Sequence, residues 1–238
     1  MADAHIDKIS IISSGSIASI TSRLSTLWSK VPLSSRKLSS TIADICSYIG
    51  STPDAQLSPI KELKIRKEEG GVQHEFLLLR LEKPSGEEFW VRLERKGPTG
   101  TLRRLMSSRW EANDVATVSG KVAALLGSAK SVEKTKITFR VSPSLTDLFC
   151  VLEALRTESR SYQVWPENCY FFASVVAEHL HSLDNGAELI GALRWLDLGI
   201  QARRRIHQII TSYETVSVYD PDTESGSMSP LQSLSDRE

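Results

Sequence analysis

The sequence predicts an α+β protein in which a small antiparallel sheet packs on helices. Two β-prone runs, residues 72–83 and 87–96, flank a Pro-Ser-Gly turn at 84–86, a pattern typical of a β-hairpin. After Pro143, apolar residues recur at helical spacing in several successive segments. A chain of 238 residues with 40% hydrophobic content is long enough to bury one sizeable core.

Residues 1–58 are predicted to form a helical N-terminal extension and a linker. Apolar residues at helical spacing indicate a helix over residues 15–31, which Pro32 ends. A second helical pattern covers residues 38–50, and prolines within 51–59 indicate a linker. We expect the two helices to form a hairpin that packs on the main domain. A membrane-surface or partner-binding segment is the alternative, because this region carries four cations: Arg23, Lys30, Arg36 and Lys37.

The first strand of the predicted hairpin is expected to be buried on both faces. Phe76 and Leu78 share one face, and His74 has the same parity at the start of the strand. The other face carries three leucines: Leu77, Leu79 and Leu81. A strand that is apolar on both sides lies inside a protein rather than at its surface.

The remaining elements complete a core domain over residues 59–216. Further strands are predicted at 114–119 and 136–141, with a surface loop over 97–113. Helices are predicted at 145–155, from Pro166 or Asn168 to about residue 182, at 186–198 and at 201–213. Residues 217–238 are rich in Ser, Pro and acids, which predicts a disordered tail.

The composition argues against several classes of function. The chain has 29 Lys and Arg against 29 Asp and Glu, so nucleic acid is not an expected partner. Three scattered cysteines form no C-x-x-C pair, which favours a reduced, intracellular and cytoplasmic setting. No apolar run reaches the roughly 20 residues that span a bilayer. No phosphate-binding, dinucleotide-binding or H-E-x-x-H motif is found, so no cofactor or metal is expected.

Two charged stretches are predicted to be ordinary surface features. The R-R-R run at 203–205 is expected to form a solvated helix face, and W-V-R-L-E-R-K at 90–96 a charged strand face. Neither stretch is assigned a ligand.

The stretch W-P-E-N-C-Y-F-F, residues 165–172, carries the candidate nucleophile. A reactive thiol needs a lowered pKa, some exposure and a nearby base. Asn168 is a favoured N-cap, which places Cys169 in the first turn, where unpaired amides and the helix dipole favour a thiolate. The apolar residues that follow predict a helix buried along its length and exposed at its first turn. The alternative is a small apolar residue packed in a core, the role also expected for Cys46 and Cys150.

His74 is the most informative of the five histidines. It is a polar ring that opens a Leu-rich buried strand, and a buried polar group needs a partner. His179 and His181 are separated from Cys169 by more than about 10 Å along the same predicted helix, at about 1.5 Å per residue. His74 is therefore the candidate base, with a core histidine bonded to a backbone carbonyl as the alternative.

The segments H-E-F-L-L-L-R-L, F-W-V-R-L-E-R and Y-Q-V-W-P-E-N-C-Y-F-F-A resemble a group of uncharacterised proteins common in mushroom-forming fungi. That group has an H-E-F strand and an N-C-[YW]-[FW] helix start. These features in turn resemble permuted papain-fold thiol hydrolases, including the PPPDE deubiquitinase-like peptidases and the lecithin:retinol acyltransferase-like proteins. The resemblance covers residues 62–183. It implies a papain-like fold in which the histidine strand precedes the cysteine helix.

The resemblance implies that Cys169 is the nucleophile and His74 the base. A third polar group on the next strand usually orients the imidazole, and Glu94 falls nearly opposite Phe76, close to His74. Arg92 and Arg95 are the other polar groups on that strand. The second histidine of the acyltransferase branch is not found, which argues against that activity.

Two functions follow from these residues. The first is a cysteine hydrolase acting on an amide, isopeptide or thioester bond, with an unknown protein or small-molecule acyl substrate. Its site would comprise Cys169, His74, Glu94 and Asn168, with the Cys169 amide as one donor to the oxyanion. The second is a catalytically inactive protein of the same fold that acts as an interaction module.

Overall fold

The computed structural model describes residues 38–51, 56, 58–69, 74–97, 109–127, 130–159, 161–163, 168–193 and 199–218. The helix predicted at 15–31 and the tail beyond residue 218 lie outside these ranges.

Seven of the described strands form one open antiparallel sheet. Their bounds are β1 Leu38–Thr41, β2 Ile60–Glu68, β3 Glu75–Glu82, β4 Glu88–Lys96, β6 Asn113–Ser119, β7 Ser131–Thr138 and β9 Glu188–Gly191. The order across the sheet is β1-β6-β4-β3-β2-β7-β9. Two short strands, β5 Arg109–Glu111 and β8 Ser161–Gln163, pair separately. The α+β class is confirmed, and the sheet is larger than the small one predicted.

Five helices accompany the sheet: α1 Ile42–Ser51, α2 Val122–Leu126, α3 Leu145–Glu158, α4 Cys169–Ser182 and α5 Ile200–Val218. Helix α3 contacts α1, α4 and α5, and α4 packs on β2, β3 and β4. The main core lies between these helices and one face of the sheet. Helix α2 packs at β4 and β6, where Leu125 joins a smaller cluster with Phe76 and Leu78.

The predicted hairpin is confirmed as β3 and β4. Leu77 lies opposite Leu93, and Leu81 opposite Phe89, so these side chains face the main core together. Phe76 and Leu78 point to the other face, as their parity predicts. Gly86 closes the turn with a φ of 82°, a conformation that glycine adopts without strain.

The helix predicted over 38–50 begins only at Ile42. Residues 38–41 instead form β1, which pairs with β6 at the edge of the sheet. The change occurs at Thr41 because its hydroxyl accepts a hydrogen bond from the Asp44 amide, and the Asp44 carboxylate accepts one from the Thr41 amide. This reciprocal cap starts α1. Ile42 and Cys46 then join the main core.

The prediction of a helix over residues 186–198 is wrong, because residues 188–191 form strand β9. The Asp184 carboxylate accepts hydrogen bonds from the amides of Arg140, Val141 and Gly186, which fixes a turn before β9. Gly191 ends the strand with a φ of 92°, which no helix contains. Part of the loop predicted over 97–113 is also strand, since β5 lies within it.

The R-R-R run is not a wholly solvated face. Arg203 lies over the Phe171 ring and donates hydrogen bonds to Glu178 and Ser174, so it joins α5 to α4. Arg204 is exposed, and Arg205 pairs with Glu158 at the surface. The run departs from the prediction because one arginine in three faces the neighbouring helix.

Candidate active site

The predicted site residues meet at one end of the seven-stranded sheet. His74 directly precedes β3, Glu94 lies near the end of β4, and Cys169 begins α4. Strands β3 and β4 are antiparallel, so the start of one lies beside the end of the other. The N-terminus of α4 approaches this same end, which brings all three side chains together.

Asn168 caps α4, as the sequence predicts. Its side-chain oxygen accepts hydrogen bonds from the amides of Tyr170 at 3.0 Å and Phe171 at 3.2 Å. These are two of the amides that a helix N-terminus leaves unpaired. Within the described part of the chain, the Cys169 amide donates no hydrogen bond. A free N–H therefore lies beside the thiol, at the positive end of the helix dipole.

The His74 imidazole links Cys169 to Glu94. Its Nε2–H donates a hydrogen bond to Glu94 Oε2 at 3.0 Å. The Cys169 thiol lies next to the same ring and raises the pKa of the imidazole. Because Glu94 occupies Nε2, Nδ1 is the nitrogen left for the thiol. The Phe76 ring stacks beside the imidazole, with centroids 6.5 Å apart, and gives it an apolar wall.

Glu94 is a buried carboxylate that faces three donors. Oε2 accepts hydrogen bonds from His74 and from Arg92 Nη2, the latter at 2.8 Å, and Oε1 lies 3.0 Å from Lys96 Nζ. Burial raises the pKa of Glu94, but the His74 hydrogen bond and the charge and hydrogen bonds of Arg92 lower that pKa to about 2. Glu94 is thus ionised at neutral pH and fixes the orientation of the imidazole.

The pKa of His74 is raised, although burial alone would lower it. The hydrogen bonds with Cys169 and Glu94 raise the pKa to about 9, from an ordinary value of 6.5. A raised pKa in the folded state means that protonation of His74 stabilises the fold fully below pH 6.5. This contribution is lost as the pH rises through 9. The lowered pKa of Glu94 has the opposite effect: its contribution is present above pH 4.5 and is lost as the pH falls toward 2.

Replacing Glu94 with Gln is expected to move the pKa of His74 from about 9 toward 6.5. The amide removes the negative charge that favours the imidazolium, so the direction is downward. An NMR titration of the His74 ring measures this change. Glu88→Gln is the control, because Glu88 lies on the same strand as Glu94 but bonds Arg80, away from the imidazole. If the Glu94→Gln protein titrates like the wild type, the carboxylate does not act on His74.

The stretch 90–96 is not an exposed charged face, contrary to the prediction. Glu94 is 4% exposed and Arg95 is fully buried. Arg92, Glu94 and Lys96 alternate along β4, so they share one face and form ion pairs there. Arg95 points to the other face and pairs with Asp114 across the ladder to β6. The alternation was visible in the sequence, but the burial was not.

The thiol is less accessible than the sequence predicts. Cys169 is 4% exposed, so the thiol in the first turn of α4 is buried, like most residues of this helix. A cavity of about 580 Å³ lies between the start of α1, the start of β6 and the end of α3, and Cys169 and His74 are not among its described lining residues.

Comparisons with protein-family models, with curated proteins and with solved structures found no match to this chain. The resemblance to permuted papain-fold hydrolases therefore stays a prediction. Among the helices within the described ranges, none is long and apolar enough to cross a membrane.

Proposed function

We propose that the protein is a cysteine hydrolase that cleaves an amide, isopeptide or thioester bond. The observation that supports this proposal is the connected series Cys169, His74 and Glu94. It pairs a nucleophile with a base and orients that base with an ionised carboxylate, which is the arrangement of a catalytic triad. A cysteine that only fills a core has no need of such partners.

The topology supports a permuted papain-like arrangement as part of this proposal. The histidine lies at the start of a strand in an antiparallel sheet, and the cysteine opens a later helix packed on that sheet. This is the order that the resemblance implies.

In the proposed reaction, His74 Nδ1 accepts the thiol proton and the Cys169 sulfur attacks the carbonyl carbon of the substrate. The new C–S bond moves the carbonyl electron pair onto oxygen, and the free Cys169 amide donates to that oxyanion. The intermediate then collapses: protonated His74 gives its proton to the leaving nitrogen or sulfur, whose bond to carbon breaks. Water attacks the resulting acyl thioester while His74 takes a proton from it. Cleavage of the C–S bond releases the acid and regenerates the thiol.

The second candidate is an inactive member of the same fold that acts as an interaction module. The 4% exposure of Cys169 favours it, because a nucleophile must meet its substrate. The two candidates differ in whether the folded protein opens far enough for the sulfur to react.

Acylation by p-nitrophenyl acetate tests the proposed function. The folded wild type is expected to release p-nitrophenolate and to carry one acetyl group on Cys169, which mass spectrometry of proteolytic peptides locates. Cys169→Ser should lose this adduct, whereas Cys150→Ser, which changes a half-buried cysteine outside the site, should keep it. If the folded wild type neither gains an acetyl group on Cys169 nor releases p-nitrophenolate faster than Cys169→Ser, the interaction module is the better description.

A further inference from the structure

The Arg92 guanidinium contacts four different residues around the candidate site. Its guanidinium carbon lies 3.8 Å from the centre of the Phe76 ring. Nη2 donates to Glu94 Oε2 at 2.8 Å and to Glu68 Oε1 at 2.9 Å, and Nη1 donates to the Leu125 carbonyl at 3.1 Å. One side chain on β4 thus joins β2, β3 and α2.

These contacts use the planar shape of the guanidinium group. Two carboxylates share one nitrogen, a carbonyl takes the other, and the flat face covers an aromatic ring. A lysine ammonium supplies the charge, but it lacks the planar set of N–H donors and the flat stacking face of a guanidinium. The geometry at Glu94 therefore depends on arginine in particular.

Arg92 also leaves one donor unsatisfied. Its Nε is buried and makes no hydrogen bond among the described residues. A buried donor without an acceptor destabilises a fold, so natural proteins rarely keep one without another reason. Arg92 and His74 bond the same oxygen of Glu94. The contacts therefore indicate that the unsatisfied donor is kept because Arg92 positions the Glu94 carboxylate.

Phe76 gives a second connection between Arg92 and His74, because its ring contacts both side chains. Its ring stacks beside His74 on one side and carries the Arg92 guanidinium on its face. A shift of Arg92 would therefore move both the carboxylate that receives the Nε2–H and the ring that borders the imidazole.

We propose that Arg92 is a positioning residue that holds the Glu94 carboxylate in line with His74 Nε2. It acts through Glu94 and Phe76 and does not touch the substrate. This inference rests on the proposed function, because the carboxylate that Arg92 holds orients the base of that reaction.

Two variants of Arg92 separate charge from geometry. Arg92→Met is expected to raise the pKa of Glu94 from about 2 toward 4.5, because the nearest cation is lost. It should also lower kcat for an alkyl thioester by about tenfold or more with little change in KM. Arg92→Lys should keep the pKa of Glu94 low and still lower kcat, since lysine keeps the charge but not the planar set of N–H donors. NMR of the Glu94 carboxyl carbon and the acid limb of the rate profile measure the pKa.

Arg80→Met is the matched control. Arg80 lies on β3 and bonds Glu88, away from His74, so the pKa of Glu94 and kcat should stay at the wild-type values. A wild-type pKa of Glu94 in Arg92→Met overturns the inference, whether or not kcat falls, because an arginine that holds the Glu94 carboxylate must also lower the pKa of that carboxylate. Should Arg92→Met not fold, unchanged kcat in Arg92→Lys overturns it. A wild type that does not react with thioesters refutes the proposed function instead, while the carboxyl titration still tests the Arg92 contact.

Discussion

Replacing His74 with Ala is expected to slow hydrolysis of a simple alkyl thioester by about 10²- to 10⁴-fold, the usual contribution of general acid–base catalysis. The imidazole lies next to Cys169 and is the proposed base, and in the proposed reaction it is also the acid for the leaving sulfur. Its removal therefore affects both formation and breakdown of the acyl-enzyme. His207→Ala changes an exposed histidine of α5 and should leave the rate unchanged. A similar rate in both variants would show that His74 is not the base.

The pH dependence gives this prediction a second observable. The pKa of His74 is raised to about 9, so the imidazolium that protonates the leaving group is present below that pH and lost above it. Acylation by a thioester should therefore fall as the pH rises through about 9, because a neutral imidazole has no proton to give. This alkaline limb should be missing in His74→Ala. If the wild-type rate keeps rising through pH 10, His74 does not act as the acid.

Replacing Asp114 with Ala is expected to lower the free energy of unfolding by about 3–5 kcal/mol, the cost of leaving a buried charge without its partner. Arg95 is fully buried, and its Nε and Nη2 each donate to an Asp114 oxygen at 2.7 Å. Its Nη1 donates to Ser159 at the end of α3, and its guanidinium lies 5.2 Å from the centre of the Phe172 ring. The pair thus joins the sheet to two helices, including the helix that Cys169 begins. Urea denaturation measures the change.

An exposed pair on the β3–β4 hairpin provides the control. Arg80 and Glu88 also form a cross-strand ion pair, but their side chains are 29% and 50% exposed. Glu88→Ala should cost less than about 1 kcal/mol, because water screens the pair and replaces its hydrogen bonds. The double variant Arg95→Met and Asp114→Ala should recover part of the stability lost in Asp114→Ala, since it removes the unpaired charge. Equal losses in Asp114→Ala and Glu88→Ala would show that Arg95 does not depend on its partner.

Local signals account for the parts of the site that were predicted from the sequence. The Pro-Ser-Gly turn at 84–86 predicts the hairpin, and its register places Glu94 close to His74 through strand parity alone. Asn168 predicts the start of α4 in the same way, because a cap acts within one helical turn. Each of these signals involves residues that are near each other in the sequence or linked by one short turn.

Strand β2 shows why other elements were missed. Only Leu63 and Ile65 mark its interior as apolar, while charged residues fill most other positions. Lys64 is accommodated because it pairs with Glu62 on its own strand and with Glu133 on β7, which lies far away in the sequence. A charged strand of this kind becomes recognisable only when its neighbour in the sheet is known.

The buried arginines have the same explanation. Nothing near Arg95 in the sequence indicates that Asp114 will lie opposite it, because the two strands are joined through residues 97–112. Arg92 likewise finds Glu68 on β2 and the Leu125 carbonyl on α2. Without these distant partners, a charged residue in a strand is expected to face water.

The most direct test of the Cys169–His74 pair is the pH dependence of Cys169 alkylation by iodoacetamide in the folded protein. Cys46 and Cys150 are first replaced by Ala, so that Cys169 is the only thiol. We predict that, across the pH range in which the protein stays folded, it reacts before the protein unfolds and reacts more slowly in the His74→Ala variant. Alkylation only at the rate of global unfolding, equal with and without His74, would contradict the coupling and leave Cys169 as a core residue.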